Sequence, residues 1–444
     1  VGLARESELF GKLTAGPVAK QLIGLFDGMN ELKKPLPGAA PRPVRRLAVL
    51  GGGFMGSGIA TVSVPLVPVT VKDVSDDVLA RCARSVLEGL DQRVRSGAIT
   101  TFERDRQLAG LHLTRNDGEL ARADLIVEAV FEDLALKREI LATTEQVVSD
   151  EAVFASNTSA LPITEIAAGA RRPERVLGMH YFSPVPKMPL LELVVTAQTS
   201  DGAVATARDF AIRQGKTVIV VRDGPGFYTS RILSPYLGEA LRLVEEGARV
   251  EAIDGALRDF GFPVGPMALL DEVGIDVVAH VARNFGERYA RRGLHGGEGF
   301  ARLHEAGYAG RKNKRGFYRY GDSGGKKRKK TVNEEVYAVT GGAPRKAFAA
   351  GEIADRLALL MINEAIYCLD EGVIASPRDG DIGAILGLGF PPFCGGPFRY
   401  VDHCGPRELI ERMERLRDRC GPRFEPAPAL RALARDGSGF RVGS

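Results

Sequence analysis

The stretch that decides the fold is LAVLGGGFMG at residues 47–56, an apolar strand that runs into a G-x-G-x-x-G turn and then a helix. In such a turn Gly51 makes the tight bend, Gly53 lets the backbone approach a pyrophosphate, and Gly56 lets the helix pack closely on the sheet. Asp73 ends the next predicted strand, 22 residues after Gly51. A carboxylate there accepts both ribose hydroxyls and repels a 2′-phosphate, so the pattern predicts binding of NAD and not NADP. The alternative is a structural Gly-rich turn that binds no cofactor.

A β-α-β rhythm surrounds this stretch and continues to about residue 221. Short apolar runs bounded by turn residues predict seven strands, at residues 46–50, 67–72, 124–129, 152–155, 175–179, 190–195 and 216–221. Helical patterns between most of them predict a mostly parallel, Rossmann-type doubly wound sheet. From Phe227 onward the pattern turns helical. The predicted fold class is therefore α/β followed by an all-α part.

The helical part contains an internal repeat. Residues 231–247 match residues 356–372 at a constant offset of 125, with Arg, Glu and Gly at corresponding places. Two copies of one helical unit predict a duplication whose copies pack together. The predicted domains are residues 1–44 (amino-terminal helices and a proline-rich linker), 45–222 (a NAD-binding domain), 223–330 (the first helical copy) and 331–444 (the second helical copy).

A histidine and a glutamate stand twelve residues apart between two predicted strands. His180 lies at the end of one strand and Glu192 lies in the next. The prolines between them, at 184, 186 and 189, forbid a helix and force an extended return. Such a return brings the carboxylate beside the imidazole, and a histidine held by a carboxylate is a general base suited to neutral pH.

Two further polar segments follow strands at the edge where a doubly wound sheet binds its ligands. The strand at 124–129 runs into a loop that contains Glu132, and Lys137 lies in the next helix. Spacing alone favours ordinary exposed side chains over cofactor contacts there. Residues 156–159, Ser-Asn-Thr-Ser, either cap the following helix or hydrogen-bond a substrate oxygen or the nicotinamide amide. Both interpretations of these hydroxyls stay open.

The composition excludes several classes of function. No apolar run approaches the roughly 18 residues of a membrane span. The net charge of +4 is small for 444 residues, and no aromatic residues interleave with the basic run at 326–330, which argues against nucleic-acid binding. The five cysteines are scattered without a C-x-x-C pair, so we expect reduced thiols in a reducing compartment. Histidine and carboxylate spacing suggests no metal site.

Taken in order, the motifs resemble the 3-hydroxyacyl-CoA dehydrogenase family. The similarity is greatest to the dehydrogenase portion of multifunctional fatty-acid β-oxidation α-subunits, of the bacterial anaerobic type and its mitochondrial trifunctional relative. It covers essentially the whole chain and is carried by residues 51–58, 128–134, 156–159, 178–192, 223–228, 310–318 and 387–393. Residues 1–29 resemble the end of an enoyl-CoA hydratase domain and its connecting helix. Most of that domain is absent from the sequence, so hydratase activity is not carried over.

The resemblance implies a role for each matching residue. His180 matches the family's general base, Glu192 its dyad partner, Ser159 the serine that bonds the substrate oxygen, and Ser230 a second substrate contact. The positions that match cofactor contacts are Gly51, Gly53, Phe54, Met55, Gly56, Asp73, Val130, Phe131, Glu132, Lys137, Ser159, Ser183 and Lys312. Ser183 and Ser230 stand where the family often has Asn, so we expect weaker or rearranged hydrogen bonds there.

The implied activity is oxidation of the 3-hydroxyl of an (S)-3-hydroxyacyl-CoA to a ketone with NAD⁺, as a step of fatty-acid β-oxidation in the cytoplasm. The implied partners are the CoA substrate, a thiolase β-subunit and, as another assembly, a second copy in a homodimer. One alternative is a non-catalytic NAD-binding scaffold for a thiolase, and another is a dehydrogenase of a different β-hydroxy acid. The basic run at 326–330 is expected to be a solvated loop, with a track for CoA phosphates or a partner contact as the alternative.

Overall fold

The computed structural model describes residues 2–36, 38–284, 289–290, 292–294, 297–321 and 330–440. The chain divides into two compact units. The sheet unit comprises residues 28–227, and the helical unit combines the amino-terminal residues up to Asp27 with the chain from Tyr228 onward.

The sheet unit is built on eight strands among the described residues, in the order β3-β2-β1-β4-β5-β6-β7-β8. Their bounds are β1 Leu47–Leu50, β2 Val69–Lys72, β3 Leu111–Thr114, β4 Leu125–Glu128, β5 Val153–Ser156, β6 Val176–Tyr181, β7 Leu190–Val195 and β8 Thr217–Arg222. Neighbouring strands are parallel except for β6 and β7, which pair antiparallel. The central strands are buried along their whole length, as parallel strands covered on both faces must be. The prediction of a mostly parallel doubly wound sheet is confirmed.

Four helices of the sheet unit begin directly after a side chain that caps them. Ser75, Asp133 and Ser200 each accept a hydrogen bond from a backbone N–H of the first helical turn, and Thr100 forms a capping box with Glu103. After α1 (Gly2–Ala15) and α2 (Pro17–Glu31), the helices are α3 Phe54–Ser63, α4 Asp76–Arg95, α5 Thr101–Ala109, α6 Leu134–Val147, α7 Ile163–Ile166 and α8 Asp201–Arg213. Because α3 directly follows the Gly-rich turn, its amino terminus lies at the edge of the sheet that gathers the predicted site.

All seven predicted strands exist, with ends within two residues of the predicted ones. The eighth strand, β3, was not predicted. It reads Leu-His-Leu-Thr at the edge of the sheet and is only partly buried, so it lacks the continuous apolar run that marks the central strands. A short hairpin of β9 (Tyr318–Tyr320) and β10 (Lys330–Val332) in the helical unit was also missed.

The proline-rich linker lies on the sheet unit. The Leu32 carbonyl accepts a hydrogen bond from the buried Arg208 guanidinium, and the Arg42 amide donates to the Thr206 hydroxyl at 3.0 Å. Both partners belong to α8, so the linker is fixed at two points along one helix. The Asp124 carboxylate then accepts the amide of Arg45 at 2.7 Å, immediately before β1.

The helical unit contains the following helices among its described residues: α9 Thr229–Glu245, α10 Val250–Phe260, α11 Pro266–Val273, α12 Ile275–Asn284, α13 Gly297–Glu305, α14 Val336–Val339, α15 Ala350–Asp370, α16 Pro377–Leu388, α17 Pro397–Cys404, α18 Pro406–Cys420 and α19 Pro428–Asp436. Helices α9 and α15 pack against each other and form its centre. The helical region predicted after Phe227 is confirmed. Of the basic run at 326–330, residues 326–329 lie outside the described residues. Lys330 belongs to β10, with its Nζ atom 4.0 Å from the Tyr318 ring centroid.

Buried ion pairs link α9 and α15 reciprocally. Arg231 of α9 donates from Nε to Glu364 of α15 at 2.7 Å and from Nη1 to Glu371 at 2.8 Å. Arg356 of α15 donates in the same way to Glu239 and Glu246, at 2.6 and 2.7 Å. Both arginines are buried, so the charge-assisted bonds compensate the loss of hydration of the guanidinium groups.

Helices α1 and α2 keep much of their apolar surface exposed. No residue of α1 is buried, and Phe10, Leu13 and Phe26 are among the exposed large hydrophobic residues. Among the described residues, no helix is long and apolar enough to cross a membrane.

Candidate active site

The Gly-rich turn after β1 has the geometry that its sequence predicts. Gly51 adopts φ +98°, and an added Cβ there would lie 2.7 Å from the Ala129 carbonyl oxygen. A Cβ on Gly56 would lie 1.8 Å from the Gly51 oxygen, so both positions require glycine on steric grounds. Gly53 differs, because an added Cβ would meet nothing within 4 Å. Its missing side chain therefore leaves open space at the start of α3, which is where a phosphate approaches in this fold.

Asp73 closes the other side of the same turn. Its Oδ2 atom accepts the Gly52 amide at 2.8 Å and its Oδ1 atom accepts the Ser75 amide at 3.1 Å. The carboxylate thus lies at the end of β2 beside the Gly-rich turn and remains partly accessible. This is the arrangement needed for a carboxylate that binds a ribose next to a pyrophosphate. Phe54 and Met55 begin α3. Phe54 is exposed and Met55 is half-buried.

His180 and Glu192 form the pair that the sequence predicts. They are directly opposite each other in the antiparallel register of β6 and β7, and His180 Nδ1 lies 2.7 Å from Glu192 Oε2. Both side chains are buried, and the rings of Phe182 and Phe227 lie 4.6 and 5.8 Å from the imidazole. A carboxylate on Nδ1 fixes the proton there and leaves Nε2 as the nitrogen that accepts a proton. The apolar surroundings strengthen this interaction because they exclude water.

A second buried network lies under the carboxyl ends of β4 and β5. Lys137 is 1% exposed, and its Nζ atom lies 2.8 Å from Glu128 Oε1 and 3.4 Å from Glu132 Oε2. Glu128 also accepts the Ser156 hydroxyl at 2.6 Å and the Val130 amide at 2.8 Å. The expectation of an ordinary exposed lysine at position 137 is therefore wrong. The error arises because the lysine's partner comes from a strand nine residues earlier, which spacing along the helix cannot show.

Glu132 connects this network to the serine-containing loop. Its Oε1 atom accepts the Thr158 hydroxyl at 2.6 Å and the Ser159 amide at 3.0 Å. Burial opposes ionisation of Glu132, but Lys137, the Thr158 hydroxyl and the loop amides outweigh it and hold the pKa of this carboxyl below its ordinary value. The position of Ser159 is thus fixed by an ionised carboxylate.

The three hydroxyl groups within residues 156–159 have different roles, some structural and one open to a substrate. Ser156 bonds Glu128, and Thr158 bonds Glu132 and accepts the Leu161 amide, so both are structural. The predicted cap of the following helix comes from elsewhere, because the Asp223 carboxylate accepts the first amides of α7. The Ser159 hydroxyl is half-buried and makes no hydrogen bond within the described part of the chain, which leaves it available to a substrate.

The remaining predicted contacts lie at several places. Val130 lines the Gly-rich turn, Phe131 is 85% exposed beside it, and Ser183 is exposed in the connection between β6 and β7. Ser230 is the second residue of α9, and Lys312 pairs with Asp276 at 2.9 Å. These two belong to the helical unit, and their predicted contacts with substrate and cofactor stay predictions.

The sheet and its Gly-rich turn are those of a Rossmann-type dinucleotide-binding protein. Residues 46–224 match the family model "3-hydroxyacyl-CoA dehydrogenase, NAD binding domain", and residues 226–320 match "3-hydroxyacyl-CoA dehydrogenase, C-terminal domain". The chain belongs to the 3-hydroxyacyl-CoA dehydrogenase family.

Individual relatives agree with this assignment. The chain is 47% identical to the fatty acid oxidation complex subunit alpha of Shewanella amazonensis, over 99% of this chain and 62% of that protein. The chain therefore spans less than two thirds of the length of the curated relatives it matches. The crystal structure of FadB2 of Mycobacterium tuberculosis is 40% identical with a TM-score of 0.60, and the match covers 63% of this chain and all of that one. The 3-hydroxybutyryl-CoA dehydrogenase of Escherichia coli is 28% identical with a TM-score of 0.77, over 88% of this chain and 98% of that one.

Proposed function

We propose that this chain catalyses the oxidation of (S)-3-hydroxyacyl-CoA thioesters to 3-ketoacyl-CoA thioesters with NAD⁺. The observation that carries the proposal is the buried His180–Glu192 pair at the edge of the sheet that also holds the dinucleotide turn. A base held by a carboxylate, a half-buried serine hydroxyl and a nucleotide cradle are the parts that oxidation of an alcohol requires.

The residues at the turn fit NAD⁺. Gly51 and Gly56 shape the turn, Gly53 leaves room for the pyrophosphate, and Asp73 accepts the ribose hydroxyls. When bound, the cofactor supplies the hydride acceptor. We further propose contacts from the other matching positions, which are Phe54, Met55, Val130, Phe131, Glu132, Lys137, Ser159, Ser183 and Lys312. Lys137 contributes mainly by fixing Glu128 and Glu132, since its ammonium group is buried.

The protein's own residues then handle the proton. Nε2 of His180 takes the proton of the substrate's 3-hydroxyl, while Glu192 orients the ring and stabilises the imidazolium that forms. The Ser159 hydroxyl donates a hydrogen bond to the substrate oxygen and holds it during the transfer. Ser230 is proposed as a second substrate contact. In the reverse direction, the imidazolium returns its proton to the oxygen of the ketone.

We also propose that the helical unit contains two copies of one ancestral unit. The supporting observation is that Arg231 and Arg356, which are related by the offset of 125 found in the sequence, each form an ion pair with a glutamate of the other copy. The predicted boundaries at 223–330 and 331–444 follow from this proposal. A thiolase β-subunit is the partner we propose, because the curated relatives are named as α-subunits of a complex. A homodimer is the other assembly to be tested, and a cytoplasmic location is proposed from the free cysteines among the described residues.

The test is oxidation of NADH by this chain alone, with acetoacetyl-CoA compared with a long-chain 3-ketoacyl-CoA and with free acetoacetate. We expect turnover with the thioesters and at least about tenfold lower kcat/KM with the free acid, because the acid lacks the CoA contacts. Stoichiometric NADH binding without turnover would instead favour the scaffold alternative. Equal rates with thioester and free acid would indicate a dehydrogenase of other β-hydroxy acids.

A further inference from the structure

The segment between β6 and β7 determines whether His180 and Glu192 meet. The two residues are directly paired across these strands, so their contact depends on the register of the hairpin. Register in a hairpin is set by its connection, and a slip of one residue turns every side chain to the opposite face. Residues 182–189, called here the dyad connection, therefore control the geometry of the catalytic pair.

A buried lysine outside the hairpin holds the dyad connection at two points. Lys216 is 6% exposed, and its Nζ atom donates a short hydrogen bond to the Val185 carbonyl and another, at 2.7 Å, to the Met188 carbonyl. No carboxylate pairs with Lys216 in the described part of the chain. Burial alone lowers the pKa of its ammonium group to about 8. A buried cation without a counter-charge is costly, and here both carbonyls that compensate the cost belong to the dyad connection.

The dyad connection also rests on the helix that follows the dinucleotide turn. Val185 is buried, and a Cβ added to Gly58 of α3 would lie 2.9 Å from Val185 Cβ. Thus the connection contacts both Lys216 and α3. A shift of the connection away from Lys216 would break these hydrogen bonds, and a shift toward α3 would bring Val185 into collision with the helix.

A second pair of hydrogen bonds, made by a residue two positions before Lys216, joins β6 to α3. The Tyr181 hydroxyl, next to the base, donates to Gln214 Oε1 at 2.8 Å. Gln214 Nε2 donates to the Ser63 hydroxyl at the end of α3, also at 2.8 Å. The segment 214–216 thus bonds to the end of β6, to the dyad connection and to α3.

We propose that Lys216 is a positioning residue for the His180–Glu192 pair, which it serves by holding the dyad connection in place beside α3. The reaction assigned to this pair is the proposed function, so the proposal rests on it. The claim about geometry does not, because the imidazole–carboxylate contact can be observed directly. A purely structural lysine would instead affect folding stability and leave the pair unchanged.

The test compares Lys216→Met, which keeps the stem and removes the donors, with Lys216→Arg, which keeps a cation and donors. For Lys216→Met we expect kcat with acetoacetyl-CoA to fall by about 10- to 100-fold, the size of effect that follows a misplacement of about 1 Å. NADH affinity should stay within about twofold, since the Gly-rich turn is untouched. In this reduction His180 must carry the proton that it gives to the ketone, so the rate is lost on the alkaline side of the pH–rate profile. The alkaline limb should move to lower pH, because a displaced carboxylate stabilises the imidazolium less. Lys216→Arg should recover most of kcat.

Lys187→Met is the matched control, because Lys187 lies in the same connection with its side chain exposed. It should leave kcat and the pH profile unchanged. Gly58→Ala supplies a second route if Lys216→Met does not fold, since its added methyl group displaces the connection at Val185 while Lys216 is intact. It should lower kcat and shift the alkaline limb in the same direction.

A readout independent of turnover separates this proposal from the proposed function. The downfield proton NMR signal of the His180 Nδ1–H, assigned by its loss in His180→Gln, should shift or disappear in Lys216→Met and persist in Lys187→Met. If the signal changes in this way but the wild-type chain shows no turnover, the positioning role is supported and the proposed function is overturned. An unchanged signal with an unchanged alkaline limb in folded Lys216→Met would overturn the positioning role.

Discussion

Replacement of Lys137 by methionine tests whether the buried network supports the candidate site. Lys137 and Glu128 are both buried, and the substitution leaves a carboxylate inside the protein without its cation. Removing one partner of a buried pair costs about 3–5 kcal/mol. Because Glu128 keeps the Ser156 hydroxyl and the Val130 amide, we expect the lower end, about 3 kcal/mol of the free energy of unfolding.

The assay is thermal unfolding followed by calorimetry, together with the activity of the folded protein. For a unit of 200 residues, about 3 kcal/mol corresponds to a fall in Tm of roughly 10 °C. The double variant Glu128→Gln/Lys137→Met, which removes both charges, should recover at least half of the lost stability because no unpaired charge remains. Lys187→Met, an exposed lysine of the same unit, is the control and should change Tm by less than about 2 °C.

The refuting result is a Lys137→Met protein whose Tm falls by no more than the control. Such a protein would mean that Glu128 is protonated or hydrated in solution, and the network would then not fix Glu132 and the Ser159 loop. An equal loss in the single and double variants would also refute the argument, because the cost would then come from packing and not from an unpaired charge.

Three further predictions concern the cofactor, the pH dependence of stability and the duplication. Asp73→Asn should weaken NADH binding about tenfold and reduce the preference for NADH over NADPH, because the charge that repels a 2′-phosphate is lost. Fluorescence titration with both nucleotides measures this preference, and an unchanged preference would contradict the role of Asp73. Burial raises the pKa of Asp271 from 3.8 to about 6, so the folded state binds this proton more tightly than the unfolded state does. The free energy of unfolding of the wild type relative to Asp271→Asn should therefore fall as pH rises from about 4 to 6, measured by denaturant unfolding. A difference that is constant or rises over this range would contradict the shift. Arg231→Met and Arg356→Met should each lower the free energy of unfolding of the helical unit by about 3–5 kcal/mol, and the two losses should agree within about 1 kcal/mol because the positions are equivalent in the two copies. A large difference between the two falls in Tm would argue against the equivalence.

Much of the fold could be predicted because its signals are local. The Gly-rich turn requires glycine at residues 51 and 56 for steric reasons, and the structure shows the close contacts responsible. The central strands are continuous apolar runs because both faces of the sheet are covered. Strand β3 escaped prediction because it is a partly exposed edge strand, so its sequence carries a weaker pattern.

In the candidate site, too, contacts between residues close in sequence could be predicted, and contacts between distant elements could not. The His180–Glu192 contact could be predicted because both residues belong to one hairpin whose prolines force a return. The burial of Lys137 and the cap of α7 by Asp223 could not, since their partners come from other elements of the sheet unit. Lys216 was predicted only as the start of a strand, and its contacts with Val185 and Met188 join residues that are about thirty positions apart. Nothing in the spacing of a lone lysine marks such a role.

The central claim is that His180, held by Glu192, is the base that exchanges the proton of the substrate's oxygen. The most direct measurement is the reduction of acetoacetyl-CoA by NADH in His180→Gln, made beside a titration of NADH binding and a thermal melt. The account predicts that kcat falls by about 10²–10⁴, with NADH affinity within about threefold of wild type and an unchanged Tm. A folded His180→Gln protein that retains kcat within tenfold of wild type would contradict it.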